Sequence, residues 1–103
     1  MNEETTYDFE WDAAKALANM QKHSVTFDQA AAIFLDTLAL TVFDSAHSQA
    51  EERWFTLGQG VDGRLLAVAH TYVETSPVSV RVRIISARPA TKQEQRFYED
   101  EPR

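Results

Sequence analysis

The side chains that could carry chemistry in this chain are imidazoles and cations rather than thiols. His23, His47 and His70 are scattered, and no two have the i, i+4 spacing that sets two metal ligands on one helix face. The absence of cysteine removes a thiolate nucleophile, a Cys-built zinc site and any disulfide framework. Three glycines cannot supply a glycine-rich phosphate loop, and no Gly-x-Ser-x-Gly elbow is present. No metal or cofactor is expected, and nucleotide-dependent or serine-hydrolase chemistry is disfavoured.

What remains is a set of cations in strand-like sequence. Arg81 and Arg83 alternate with Val80, Val82 and Ile84, so one face of that strand is apolar and the other cationic. Such a face can clamp phosphates and stack bases. Arg88 lies five residues beyond Arg83, which puts the two on opposite faces unless a bulge or the strand end intervenes. The plainer alternative is that these arginines are a solvated face and that His70 is a hydrogen-bonded core or rim histidine. A net charge of −6 also argues against a nucleic-acid binder. That total hides a gradient. Residues 1–52 hold two lysines against ten acids, a net −8; residues 53–96 hold seven cations against three acids, a net +4. A local basic surface on an acidic protein is what a polyanion meets first.

The elements that must position these residues change character half-way along the chain. Tyr7 to Trp11 alternates as a short strand. Asp12 caps a helix with Ala13, Ala16, Leu17 and Met20 on one face, broken at His23-Ser24. Thr26 and Gln29 form a capping box for a second helix with Phe27, Ala30, Ala31 and Phe34 on one stripe. The pair is expected to form a two-helix hairpin. Strands follow at Leu38–Phe43, Arg53–Gln59, Leu65–Val73 and Val80–Ala87, with a turn at Gly60–Gly63 and a loop around Ser76-Pro77. Pro89 ends the sheet, and Thr91 with Glu94 caps a last short helix anchored by Phe97. The predicted fold is α+β: a short N-terminal strand, a helical hairpin, an antiparallel meander and a C-terminal helix.

The 103 residues are one domain's worth of chain, with residues 1–6 expected to fray and 7–103 to form the domain. An acidic start and no long apolar run predict neither a signal peptide nor a membrane span, hence a cytoplasmic protein.

Several segments together resemble the BrnT family of small toxins from type II toxin–antitoxin pairs. They are Phe9-Glu10-Trp11-Asp12 with Lys15, Lys22-His23, Phe34-Leu35-Asp36 and Leu38-Ala39-Leu40. They continue with His47-Ser48, Glu51-Glu52-Arg53-Trp54, Gly63-Arg64-Leu65-Leu66 and His70-Thr71-Tyr72. Arg83 to Arg88, then Ala90-Thr91 and Glu94, complete the set, in the family's own order over roughly residues 7–98. Ser24 departs from a common Gly, and Pro89 from a frequent Arg. The resemblance implies a RelE-like fold, metal-independent ribonuclease activity that arrests growth, and neutralisation by a BrnA-type antitoxin in a 2:2 complex. DNA would be contacted only through that antitoxin. Cleavage through the 2′-hydroxyl needs a base, an acid and charge stabilisation. Arg83 and Arg88 are assigned to the phosphate and His70 to proton transfer, with Lys22, His23 and Arg53 as second candidates. The competing function is a non-catalytic RNA- or protein-binding module on the same scaffold.

Overall fold

A computed structural model describes residues 5–102, and within them the chain forms six strands and three helices. Most of the terminus expected to fray, residues 1–4, lies outside the described residues, while Thr6 already belongs to β1 (Thr6–Glu10). Two helices follow, α1 (Ala13–His23) and α2 (Phe27–Ala32), the second running into a 3-10 turn at Ile33–Leu35. Then come β2 (Leu40–Phe43), β3 (Trp54–Gln59), β4 (Leu65–His70), β5 (Val73–Ser76), β6 (Ser79–Pro89) and α3 (Lys92–Asp100).

The spatial order of the sheet is β1-β6-β4-β3-β2, with β5 continuing the line of β4 along β6. Strands β2, β3 and β4 form the expected antiparallel meander, and β4 pairs antiparallel with β6. β1 departs from that pattern. It lies parallel to β6, from Thr6 opposite Ser79 to Glu10 opposite Arg83, so the sheet is mixed. A tight turn would force antiparallel pairing, but two helices and four strands separate β1 from β6 in the chain, so nothing local fixes their relative direction. The expected single strand Leu65–Val73 is also divided. Its ladder ends at His70, and Val73–Ser76 forms a separate hairpin with β6.

One face of the sheet is covered by α1, α2 and the 3-10 turn. Val25, Phe27, Ala30 and Ile33 pack there on Leu66, Val68, Val80, Val82, Ile84 and Ala87, all buried. Burying each of the larger of these side chains contributes roughly 1.5–3 kcal/mol. Gly58 is required where the 3-10 turn crosses β3, because a Cβ there would lie 2.8 Å from Ile33 Cβ. We call this the inner face.

The helices pack on β6 more than on each other, and α1 does not present the expected stripe. Leu17 is 62% exposed and Met20 44%, while Ala16 and Asn19 turn inward. The cause is Asn19. Its amide nitrogen donates to the Ala87 carbonyl at 2.8 Å and to the Val25 carbonyl at 3.0 Å, and its oxygen accepts from the Ala87 N–H at 3.0 Å. β1 stops at Glu10, so the β6 edge beyond it would otherwise bury unpaired backbone groups, at roughly 1–3 kcal/mol each. One side chain replaces a strand, and the helix rotates to deliver it.

Candidate active site

The opposite, outer face is shaped by a bulge in β6. Ala69 pairs with Ser86 but His70 pairs with Ile84, leaving Ile85 without a partner on β4. Before the bulge Val80, Val82 and Ile84 face inward; after it Ala87 does. The one-residue shift therefore returns Arg88 to the outer face that also carries Arg81 and Arg83. Phe55, which pairs with Ala69, lies on that face too. The Arg88 guanidinium carbon sits 5.5 Å from the Phe55 ring centroid.

Arg83 and Arg88 each hold a carboxylate. Arg88 forms a two-pronged pair with Glu94 at 2.8 and 3.0 Å. Glu94 also accepts from the Thr91 N–H at 2.9 Å, so the capping box that starts α3 fastens the helix to the sheet. The hydrogen bonds and charge of Arg88 hold the Glu94 carboxyl below its ordinary range, and Glu94 in turn raises Arg88. Arg83 pairs with Glu51 from the loop before β3. Glu51 lines a cavity of about 260 Å³ with His47, Gln49, Ala50 and Arg53. Glu51 thus pairs with Arg83 and lines the same cavity as Arg53.

His47 was not singled out from the sequence as a site residue, although it lies in one of the matching segments. Its Nδ1 is 3.0 Å from Asp44 Oδ2, and its side chain is 66% exposed. The signal was Asp44-x-x-His47, a spacing that one turn of 3-10 helix brings together.

The remaining sequence candidates fall elsewhere. His70 is on the inner face and fully buried, edge-on to Phe34 at 5.0 Å between centroids. Its Nδ1 lies 2.8 Å from the Thr71 carbonyl, which can only accept, so Nδ1 carries the proton. Nε2 then accepts from the Thr56 hydroxyl at 2.7 Å. Burial pushes the imidazole below its ordinary value, partly offset by the Thr71 carbonyl. Placed this way, His70 is a neutral core group with both nitrogens engaged, and it reaches no solvent. Lys22 is exposed and His23 half-buried in the last turn of α1. Among the described residues no hydrogen bond or ion pair links either to the arginine face.

The outer face also bears a groove of about 750 Å³ between Leu40, Val42, Phe55 and Leu57 on one side and Glu94, Phe97 and other α3 residues on the other. Phe97 is 50% exposed, so it lines this groove rather than anchoring α3. The anchoring is done by Glu94 and by Tyr98, whose hydroxyl donates to Asp36 at 2.5 Å. No three His, Asp or Glu side chains gather as a metal site among the described residues, and no described helix is long and apolar enough to cross a membrane.

Comparison with known proteins agrees with this architecture. The crystal structure of the Brucella abortus ribonuclease toxin BrnT superposes with a TM-score of 0.59 at 21% identity, covering 85% of this chain and all of that one. At that identity the likeness establishes the shared fold. No curated protein sequence matches. The family model described as "Ribonuclease toxin, BrnT, of type II toxin-antitoxin system" matches residues 11–94, most of the chain. The chain belongs to the BrnT family of ribonuclease toxins of type II toxin–antitoxin systems.

Proposed function

We propose that the chain is a metal-independent endoribonuclease that cleaves RNA on the outer sheet face, arrests growth, and is neutralised by a BrnA-type antitoxin. Beyond family membership, the observation that carries the reading is the convergence of Arg53, Arg83 and Arg88 on one side of the molecule. Five strand residues span roughly 16 Å, so Arg83 and Arg88 would meet different phosphates of one RNA strand. Arg83 and Arg53 are assigned to the scissile phosphate and Arg88 to a neighbouring one, with Phe55 behind it as an aromatic surface. Phosphate oxygens would displace Glu51 and Glu94 from these guanidiniums, since both anions fit the same fork. His70, Lys22 and His23 are left outside the reacting set.

A type II system implies an antitoxin partner. The acidic first half of the chain favours a basic partner, and we assign it as a BrnA-type protein in a 2:2 complex, acting in the cytoplasm. The test is induction in bacteria with and without the neighbouring gene. The reading expects growth arrest and degraded RNA without the partner and neither with it. Intact RNA under toxin alone would overturn it.

A further inference from the structure

The arginine face supplies charge, but strand cleavage also needs a proton for the departing 5′-oxygen. The geometry points to His47 as the catalytic acid, held by Asp44 and paired with Glu51 as the base. The inference rests on the ribonuclease reading and deepens it.

Three features support it. First, Asp44 engages only Nδ1, at 3.0 and 3.2 Å, and Nε2 has no hydrogen-bond partner among the described residues. A carboxylate on one ring nitrogen fixes the ring and leaves the other for proton transfer. Second, Asp44 is itself held in place: its N–H donates to the Arg53 carbonyl at 2.9 Å, and its carbonyl accepts from the Ser48 hydroxyl at 2.6 Å. Ser48 in turn accepts from the Arg53 N–H at 3.0 Å, so the turn carrying His47 is tied to the start of β3. Third, His47, Glu51 and Arg53 line one open cavity, and Glu51 pairs with Arg83. A proton donor, a carboxylate and one guanidinium therefore line one open space, and a second guanidinium is paired to that carboxylate. His70 offers the contrast: it is buried and both its nitrogens are occupied.

In the reaction, the 2′-oxygen attacks the adjacent phosphorus and its proton passes to the Glu51 carboxylate. The O2′–P bond forms as the P–O5′ bond breaks. His47 Nε2–H gives its proton to the leaving 5′-oxygen. The products are a 2′,3′-cyclic phosphate and a 5′-hydroxyl, with Glu51 protonated and His47 neutral; solvent exchange resets both. Arg53 and Arg83 offset the charge that gathers on the phosphorane.

The test uses the full-length protein and two oligonucleotides, one of ordinary RNA and one with sulfur replacing the 5′-oxygen at the cleaved linkage. A thiolate leaves without being protonated, so it bypasses a general acid. His47→Gln is expected to lower cleavage of ordinary RNA by ~10²-fold or more, while wild type and variant cleave the sulfur-bridged strand at nearly equal rates. Asp44→Asn, at a positioning residue, is expected to lower kcat on ordinary RNA with KM unchanged and to spare the sulfur-bridged strand. Full activity of His47→Gln on ordinary RNA, or an equal loss on both substrates, would overturn the acid role. Wild-type protein cleaving neither strand would overturn the ribonuclease reading and this inference with it.

Discussion

Arg83 and Arg88 lie five residues apart on β6 yet share its outer face, because Ile85 has no partner on β4 and shifts the alternation by one residue. An unbroken strand would have turned Arg88 into the core, or inverted the apolar side chains to keep it out. The bulge lets one strand bury Val80, Val82, Ile84 and Ala87 while presenting Arg81, Arg83 and Arg88 together.

Ser24 should be replaceable with a gain. It closes α1 at φ 57° and ψ 35°, the left-handed region where a side chain is strained and glycine is at ease. Its N–H donates to the Met20 carbonyl at 2.9 Å, a backbone bond that glycine retains. Ser24→Gly should therefore stabilise the protein by about 0.5–1 kcal/mol. Thermal melting checks this; a lower melting temperature would show that the serine side chain contributes more than its strain removes.

Acid should weaken the fold through His70. Its folded-state pKa is lowered, chiefly by burial, so the unfolded chain binds the proton more readily than the folded one. The stability this residue contributes is present above the unfolded value, ~6.5, and is lost as pH falls from there toward the depressed folded value. Melting temperatures should decline below about pH 6.5 in wild type. His70→Gln should start lower, because it disturbs a buried hydrogen-bond chain, but stay flat across that window. An equal slope in both proteins would assign the acid sensitivity elsewhere.

Much of the fold was legible because its signals are local. Thr26 with Gln29 and Thr91 with Glu94 are capping boxes in the sequence and in the structure. The meander followed from period-two alternation and the turn around Gly63, at φ 85°. What sequence could not supply was long-range. The Asn19–Ala87 bonds span 68 residues, and an asparagine in a helix gives no sign that it completes a sheet edge. The parallel pairing of β1 with β6 joins the first strand to the last, Thr6 to Ser79, and no local signal reports it. At the site, the alternation of Arg81 and Arg83 identified the cationic face, but the bulge that adds Arg88 leaves no trace in residue types. His70 was singled out for its residue type; only burial and two engaged nitrogens reveal it as a core group.

RNA affinity should respond to both salt and Glu94. With two to four phosphates engaged, log affinity against log salt should fall with a slope of about −1.5 to −3 on single strands. Glu94→Gln keeps the capping box, since an amide oxygen still accepts from the Thr91 N–H, but removes the charge that competes for Arg88. It should tighten RNA binding several-fold at low salt. Weaker binding would mean that Arg88 needs Glu94 to hold it in place, and an affinity indifferent to salt would place RNA away from the arginines.

The most direct measurement of the central claim is cleavage of RNA by the purified protein, with and without chelator, in wild type and in Arg83→Ala, Arg88→Ala and Arg64→Ala variants. Arg64 serves as the control, because it pairs with Asp62 at the β3–β4 turn, outside the proposed site. The outer-face reading predicts unchanged cleavage with chelator and with Arg64→Ala. It predicts a loss of ~10²-fold or more for Arg83→Ala, the usual scale for removing a preorganised charge donor, and a weaker, affinity-dominated loss for Arg88→Ala. Full activity in both outer-face variants, or activity abolished by chelator, would contradict it.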